Sequence, residues 1–153
     1  MRVDFYQLGE VPLEQVIASL AQKVLDSDER LLIIASEESF LARLDRMLWD
    51  QGRTSFLPHC MAAGGDDLRQ PILLSTSPDP ANGARNLLIA DGEWRDSALS
   101  FNRAFYLFDT NTLHGARIAW RGLADRKEAE RHFWKREDGR WVEEELASPR
   151  SRG

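Results

Sequence analysis

A single cysteine in 153 residues removes two structural devices at once. Cys60 has no partner for an internal disulfide, and no zinc site of clustered thiolates can be built around it. Apolar runs are short as well, and none comes near the roughly 20 residues that a membrane-crossing helix needs. The opening Met1-Arg2-Val3-Asp4-Phe5-Tyr6 lacks an apolar signal core, so the sequence predicts a cytoplasmic protein. Basic side chains number 20 against 25 acidic ones, and the formal net charge of −5 argues against wrapping nucleic acid. A local basic patch is compatible with that balance.

Familiar catalytic patterns are missing too. Gly9 stands alone after the first β-prone stretch, where a dinucleotide-binding loop would need three spaced glycines. No phosphate-cradling loop ending in Gly-Lys-Ser/Thr occurs, and Gly64-Gly65 leads into Asp66-Asp67, which would repel a phosphate. His59, His114 and His132 have no metal-ligand spacing, and no nucleophile elbow is present. Cys60 beside His59 is the one candidate thiol–base pair. Adjacent residues on an extended segment point to opposite faces, so the small-residue reading is preferred. No catalytic residue, cofactor or metal is expected.

The chain is the right length for one core, and strand-like runs alternate with helical periodicities. Residues 2–8 read as a first strand. Leu13, Val16, Ile17, Leu20 and Val24 follow Pro12 at helical spacing. Leu31-Leu32-Ile33-Ile34 reads as a buried central strand. Ser36 is placed to cap a helix with Phe40, Leu41, Leu44, Met47 and Leu48 inward and Trp49 near its end. Residues 60–70 read as a polar loop, and 72–75, 86–90 and 103–108 as strands, with a short helix at about 97–102. Asn111 or Thr112 is placed to cap a helix running to about Arg131. An Asp138-Gly139 turn then joins two strands of a hairpin. This pattern predicts an α/β fold, a single-domain Rossmann-like sheet with helices on both faces, spanning 1–146, with 147–153 a frayed tail.

Two constellations stand out. Trp49 ends a helix and Phe56 opens the extended Ser55-Phe56-Leu57-Pro58-His59 segment after a polar turn. They read either as core aromatics or as paired anchors of a protein interface. Arg117, Trp120 and Arg121 share one helix face. They read either as a solvated face with the indole tucked inward, or as a cationic, aromatic-floored site for a carboxylate or phosphate. The mixed run 125–131 reads as a solvated helix end.

In order along the chain, several segments resemble the chi subunit family of the bacterial DNA polymerase III clamp loader. They include Val3-Asp4-Phe5-Tyr6, the 30–35 strand leading into Ser36-Glu37-Glu38, and Leu44-Asp45-Arg46-Met47-Leu48-Trp49. Ser55-Phe56-Leu57-Pro58-His59, Gln70-Pro71-Ile72-Leu73-Leu74 and the 82–89 stretch follow, and the similarity runs on to Phe133-Trp134-Lys135. The resemblance implies a Rossmann-like fold without nucleotide chemistry: a non-catalytic subunit of a DNA-directed DNA polymerase complex. It implies that Trp49 and Phe56 face the psi subunit, or an equivalent clamp-loader protein. It also implies that Arg117, Trp120 and Arg121 receive the acidic C-terminal tail of single-stranded DNA-binding protein, which ends in a Phe with a free carboxylate. DNA contact would then be indirect. The chain departs from the family pattern at Leu113, where a Lys is common, at Trp120, where Tyr is usual, at Arg121, where Lys is, and at Cys60-Met61-Ala62-Ala63-Gly64-Gly65, where the family commonly reads Asn/Gly-Leu-Ala-Gly-Glu-Gly. The competing readings are a nucleotide-binding α/β enzyme and a direct single-stranded DNA binder.

Overall fold

The computed structural model describes residues 1–51, 59–61 and 70–144. Phe56, the segment 52–58, the polar stretch 62–69 and the expected tail 147–153 lie outside the described residues. In chain order the elements are β1 (Arg2–Gln7), α1 (Leu13–Asp26), β2 (Leu31–Ile34), α2 (Glu38–Gln51), β3 (His59–Met61) and β4 (Ile72–Ser75). They continue with β5 (Asn86–Ile89), a 3-10 turn (Asp96–Ser100), β6 (Arg103–Phe108), α3 (Leu113–Gly122), β7 (Glu130–Glu137) and β8 (Arg140–Glu144).

The eight strands form one sheet in the order β3-β4-β2-β5-β6-β1-β7-β8. Every neighbouring pair is parallel except β7 and β8. Parallel strands buried on both faces need unbroken apolar runs, and β2 and β5 supply them in Leu-Leu-Ile-Ile and Asn-Leu-Leu-Ile. α1 and α2 bury Ile17, Leu20, Leu41 and Leu44 against one face of the sheet. α3 and the 3-10 turn cover the other face, placing Ala98, Ala116 and Ala119 against Phe5, Tyr106 and Phe108. The α/β fold with helices on both faces is therefore as the sequence indicated.

Four local readings are corrected. The helix after Thr112 ends at Gly122, not near Arg131, because residues 130–135 leave helical geometry to pair with residues 2–7 of β1. Pairing with β1 overrides the helical propensity of the charged run. Cys60 sits in an edge strand, not a loop, and pairs with Leu73. Ser36 does not cap α2, which starts at Glu38. Its hydroxyl donates instead to Glu93 Oε2 at 2.7 Å, and its N–H to Asp91 Oδ2 at 2.8 Å. The strand read over 2–8 stops at Gln7, where Leu8 N–H donates to the Phe108 carbonyl at 3.0 Å. The hairpin turn behaves as its residues require: Asp138 and Gly139 both adopt positive φ, 50° and 76°, the pair needed for a tight two-residue connection.

Asp4 is the least expected core residue. It is fully buried in β1. Its carboxylate accepts from Arg2 Nε at 3.1 Å, Arg103 Nε at 2.7 Å and Trp134 Nε1 at 2.9 Å. One side chain thus ties β1 to both of its neighbours, β6 and β7.

Candidate functional site

α3 is set in place by the segment before it. Asp109 Oδ1 accepts from the Thr112 N–H at 3.1 Å, while Thr112 Oγ1 accepts from the Asp109 N–H at 2.9 Å. This reciprocal pair closes the turn that leads into α3, although neither bond caps the helix itself. Gly92 presses on the same corner. It has φ +74°, and a Cβ there would lie 2.5 Å from Thr112 Cγ2. The Tyr106 hydroxyl donates to the Gly92 carbonyl at 2.7 Å, which fixes the loop against the sheet.

So positioned, α3 forms one wall of a cavity of about 480 Å³ at the carboxyl ends of β1 and β6. The other wall is the β7–β8 hairpin. Leu113, Ala116, Phe108 and Phe133 make the lining largely apolar, while Arg117 and Arg121 stand at its edge. Both arginines are exposed, and neither guanidinium forms an ion pair or hydrogen bond with another described residue. Trp120 is half-buried, edge-on to Phe5 (centroids 5.1 Å, planes 78°) and to Phe133 (5.8 Å, 88°). The structure thus brings all three predicted residues to one cavity, with the indole both tucked inward and lining the space.

Sequence reasoning missed Arg131, assigned to a solvated helix end. Its guanidinium lies 4.2 Å over the Trp120 ring, and its Nη1 donates to the Trp120 carbonyl at 2.6 Å. A cation over an indole face at this separation is attractive and holds the ring's tilt. Nothing in the sequence pairs positions 120 and 131, because the contact depends on β7 turning back along β1. Phe133 and Lys135 were missed as cavity residues for the same reason.

At the far edge of the sheet, Trp49 ends α2 beside β3 and is 46% exposed. Its ring packs on the His59 ring (4.3 Å, 35°), and His59 Nε2 lies 3.3 Å from Asp45 Oδ1. The buried imidazole thus supports an indole that is half open to solvent. Of the predicted pair, Trp49 is exposed at a sheet edge, and Phe56 is outside the described residues.

A third location lies at the carboxyl ends of β2 and β5. α2 leaves β2 on one face, whereas the 3-10 turn after β5 packs on the other. Such a switch point is where α/β sheets usually hold nucleotides. Here Arg95 fills the gap, donating to Asp91 Oδ1 at 3.1 Å and Oδ2 at 2.9 Å, and to Ser36 Oγ at 2.8 Å. Burial alone would raise the Asp91 pKa. The donors Arg95, Ser36 and Glu93 outweigh it and hold the carboxyl below its usual range. With Glu93 alongside, the crevice carries one cation against two carboxylates and would repel a phosphate.

The hairpin also contains a titrating unit. His132 bridges Glu143 (Nδ1, 2.6 Å) and Glu130 (Nε2). Burial alone would lower the His132 pKa, and the Arg2 charge opposes protonation too. Hydrogen bonds with Glu143 and Glu130 prevail, and the net shift is upward from 6.5. Glu130 is lowered, chiefly by its bond with His132. A raised imidazole stabilises the fold below its unfolded pKa, and that contribution is lost as pH rises through the folded value. A lowered carboxyl loses its contribution as pH falls. Thermal melts should therefore show stability declining as pH rises from 6.5 through the raised His132 value, and His132→Gln should flatten that slope. An unchanged slope in the variant would show that the bridge does not couple to folding.

The geometry describes an α/β sheet that carries an aromatic-floored, arginine-rimmed cavity and, at the opposite edge, a half-exposed tryptophan, with Arg95 bridging Asp91 and Ser36 between them. The sequence model for the family described as DNA polymerase III chi subunit, HolC, matches residues 1–130. The chain belongs to that family. It is similar to the DNA polymerase III subunit chi of Escherichia coli (strain K12), with 30% identity over 97 residues. That alignment covers 63% of this chain and 64% of the relative's length. Among the described residues, no helix is long and apolar enough to cross a membrane.

Proposed function

We propose that this chain is a replication adaptor. The Arg117 cavity receives the acidic C-terminal tail of single-stranded DNA-binding protein, and the Trp49 edge, together with Phe56, docks psi or an equivalent clamp-loader subunit. The protein then links the clamp loader to the DNA-bound partner without contacting DNA or performing chemistry itself. The observation that carries this reading is the separation of the two surfaces. β3 and β7 are six strand spacings apart in the sheet order, roughly 30 Å at the usual strand separation. This separation supports a reading in which the two partners occupy different surfaces.

The chemistry of the cavity supports a peptide carboxylate as its ligand. Two unpaired guanidinium groups beside an apolar lining suit a C-terminal carboxylate attached to an aromatic side chain. A net charge of −5 over the whole chain disfavours a long polyanion at the same place. The test is a titration with a short acidic peptide ending in Phe, run beside a single-stranded oligonucleotide of similar charge. Saturable binding of the peptide and none of the oligonucleotide is expected. The opposite order, with a steep salt slope, would identify a DNA-contacting face instead.

Trp49→Ala should weaken the clamp-loader partner by about 2 kcal/mol or more, the typical effect of truncating an aromatic anchor. Its half-exposed ring contributes little to the core, so the variant should stay folded. Peptide binding at the Arg117 cavity should be unchanged, as two independent surfaces require. Surface plasmon resonance with each partner separately reads both effects, and equal loss of the two in a folded variant would contradict the separation.

A further inference from the structure

The hairpin wall of the cavity has a role that the α3 arginines do not fill. Lys135 lines the cavity on the same strand face as Phe133, two residues along β7. Its Nζ is 3.7 Å from Glu144 Oε2 and 3.7 Å from Glu137 Oε1. Of these two carboxylates, Glu144 also lines the cavity. Among the described residues it is the one acidic side chain lining the cavity, against Arg117, Arg121, Lys135 and Arg136. Both Lys135 pairs are long and their side chains are nearly half exposed, so exchanging one carboxylate for another costs little.

We propose that Lys135 is a second acid-reading subsite of this cavity, taking a carboxylate upstream of the peptide's C-terminus, and that Glu144 is the internal stand-in which that carboxylate displaces. The subsite rests on the tail-binding reading above. It extends that reading from a clamp on the terminal carboxylate to a selection for acidic residues before it. Among the described residues the Arg117 and Arg121 guanidinium groups have no partner, whereas Lys135 is held by the hairpin's own acids. A peptide lacking upstream acids leaves the Lys135–Glu144 pair in place, while an acidic one replaces it.

The experiment uses the full chain and two labelled peptides with free C-terminal Phe carboxylates, one with aspartates before the end and one with asparagines. Fluorescence anisotropy gives each affinity. Glu144→Gln should tighten the aspartate peptide by about threefold and leave the asparagine peptide unchanged. Lys135→Gln should weaken the aspartate peptide by about threefold and again spare the other. Glu143→Gln makes the same charge change on the opposite face of β8, where Glu143 engages His132, and should have no effect. Equal tightening by Glu143→Gln and Glu144→Gln, or equal weakening of both peptides by Lys135→Gln, overturns the subsite while leaving the tail reading intact. Failure of the unsubstituted chain to bind either peptide overturns the tail reading, and the subsite with it.

Discussion

Replacing Arg117 with alanine should abolish most binding of a short acidic peptide that ends in a free Phe carboxylate. Arg117 is exposed on α3 and has no partner among the described residues, so its loss costs the fold little and the binding change is read cleanly. A hydrogen bond to a charged group contributes about 1.5–3 kcal/mol, which corresponds to a loss of roughly tenfold to a hundredfold in affinity. Arg117→Lys should restore only part of it, because an ammonium cannot form the planar two-point contact of a guanidinium. Amidating the peptide's C-terminus removes the same interaction from the other side and should cost about as much. Trp120→Ala should weaken binding even at high salt, since an apolar contact is not screened. That variant also removes packing against Phe5 and Phe133, so its folded state must be checked by melting. If the amidated peptide binds as well as the free acid, the cavity reads only general negative charge.

The largest effect on stability is expected at Asp4. Its buried carboxylate holds Arg2 from its own strand, Arg103 from β6 and Trp134 from β7. Removing one partner of a buried ion pair typically costs about 3–5 kcal/mol because the other charge is left uncompensated. Here the arginine side chains are 38% and 37% exposed, so water can take up part of that burden. The expected cost of Asp4→Ala is therefore nearer about 2–3 kcal/mol, a fall in Tm of roughly 5–10 °C. Asp4→Asn keeps the shape and loses the charge, and should fall between the two. The damage should concentrate at the β1–β7 pairing. Amide exchange there should accelerate before exchange in β2 and β5, which lie on the other side of β6. A Tm for Asp4→Ala within about 1 °C of the unsubstituted chain would mean that the two guanidinium groups are fully served by solvent.

Asp4 also shows where sequence reading stops. In Val3-Asp4-Phe5-Tyr6 it looks like the polar position of an alternating strand, yet it is wholly buried. Its partners Arg103 and Trp134 lie 99 and 130 residues away, so only the assembled sheet reveals why a carboxylate can be there. The central strands were legible because Leu31–Ile34 is apolar on both faces, a pattern that few other environments accommodate. α3 was legible at its start and not at its end. Asp125 to Arg131 has the composition of a helix surface, but Arg131 pairs with Val3 in a parallel ladder. Gly122 is the last helical residue and the cap is Leu123 at φ −84°, so the only local hint of the earlier stop is the poor helix propensity of glycine.

The candidate cavity was legible on one wall only. Arg117, Trp120 and Arg121 lie within two turns of one helix, so helical periodicity alone puts them on a common face. Arg131, Phe133, Lys135 and Glu144 come from a hairpin whose place in the sheet is set by β1, the first strand of the chain. No local pattern announces that meeting. Trp49 was legible as a helix-end aromatic, but not the buried His59 beneath it, which reaches the ring through β3 at the sheet edge.

Simultaneous binding of two partners at opposite edges of a single sheet is the behaviour expected of this chain. It is tested most directly by immobilising the chain through the psi subunit and then passing single-stranded DNA-binding protein over it. Single-stranded DNA-binding protein should add on top without displacing psi, and deleting its acidic tail should abolish the addition. Displacement of psi, or undiminished binding of the tailless form, would contradict it.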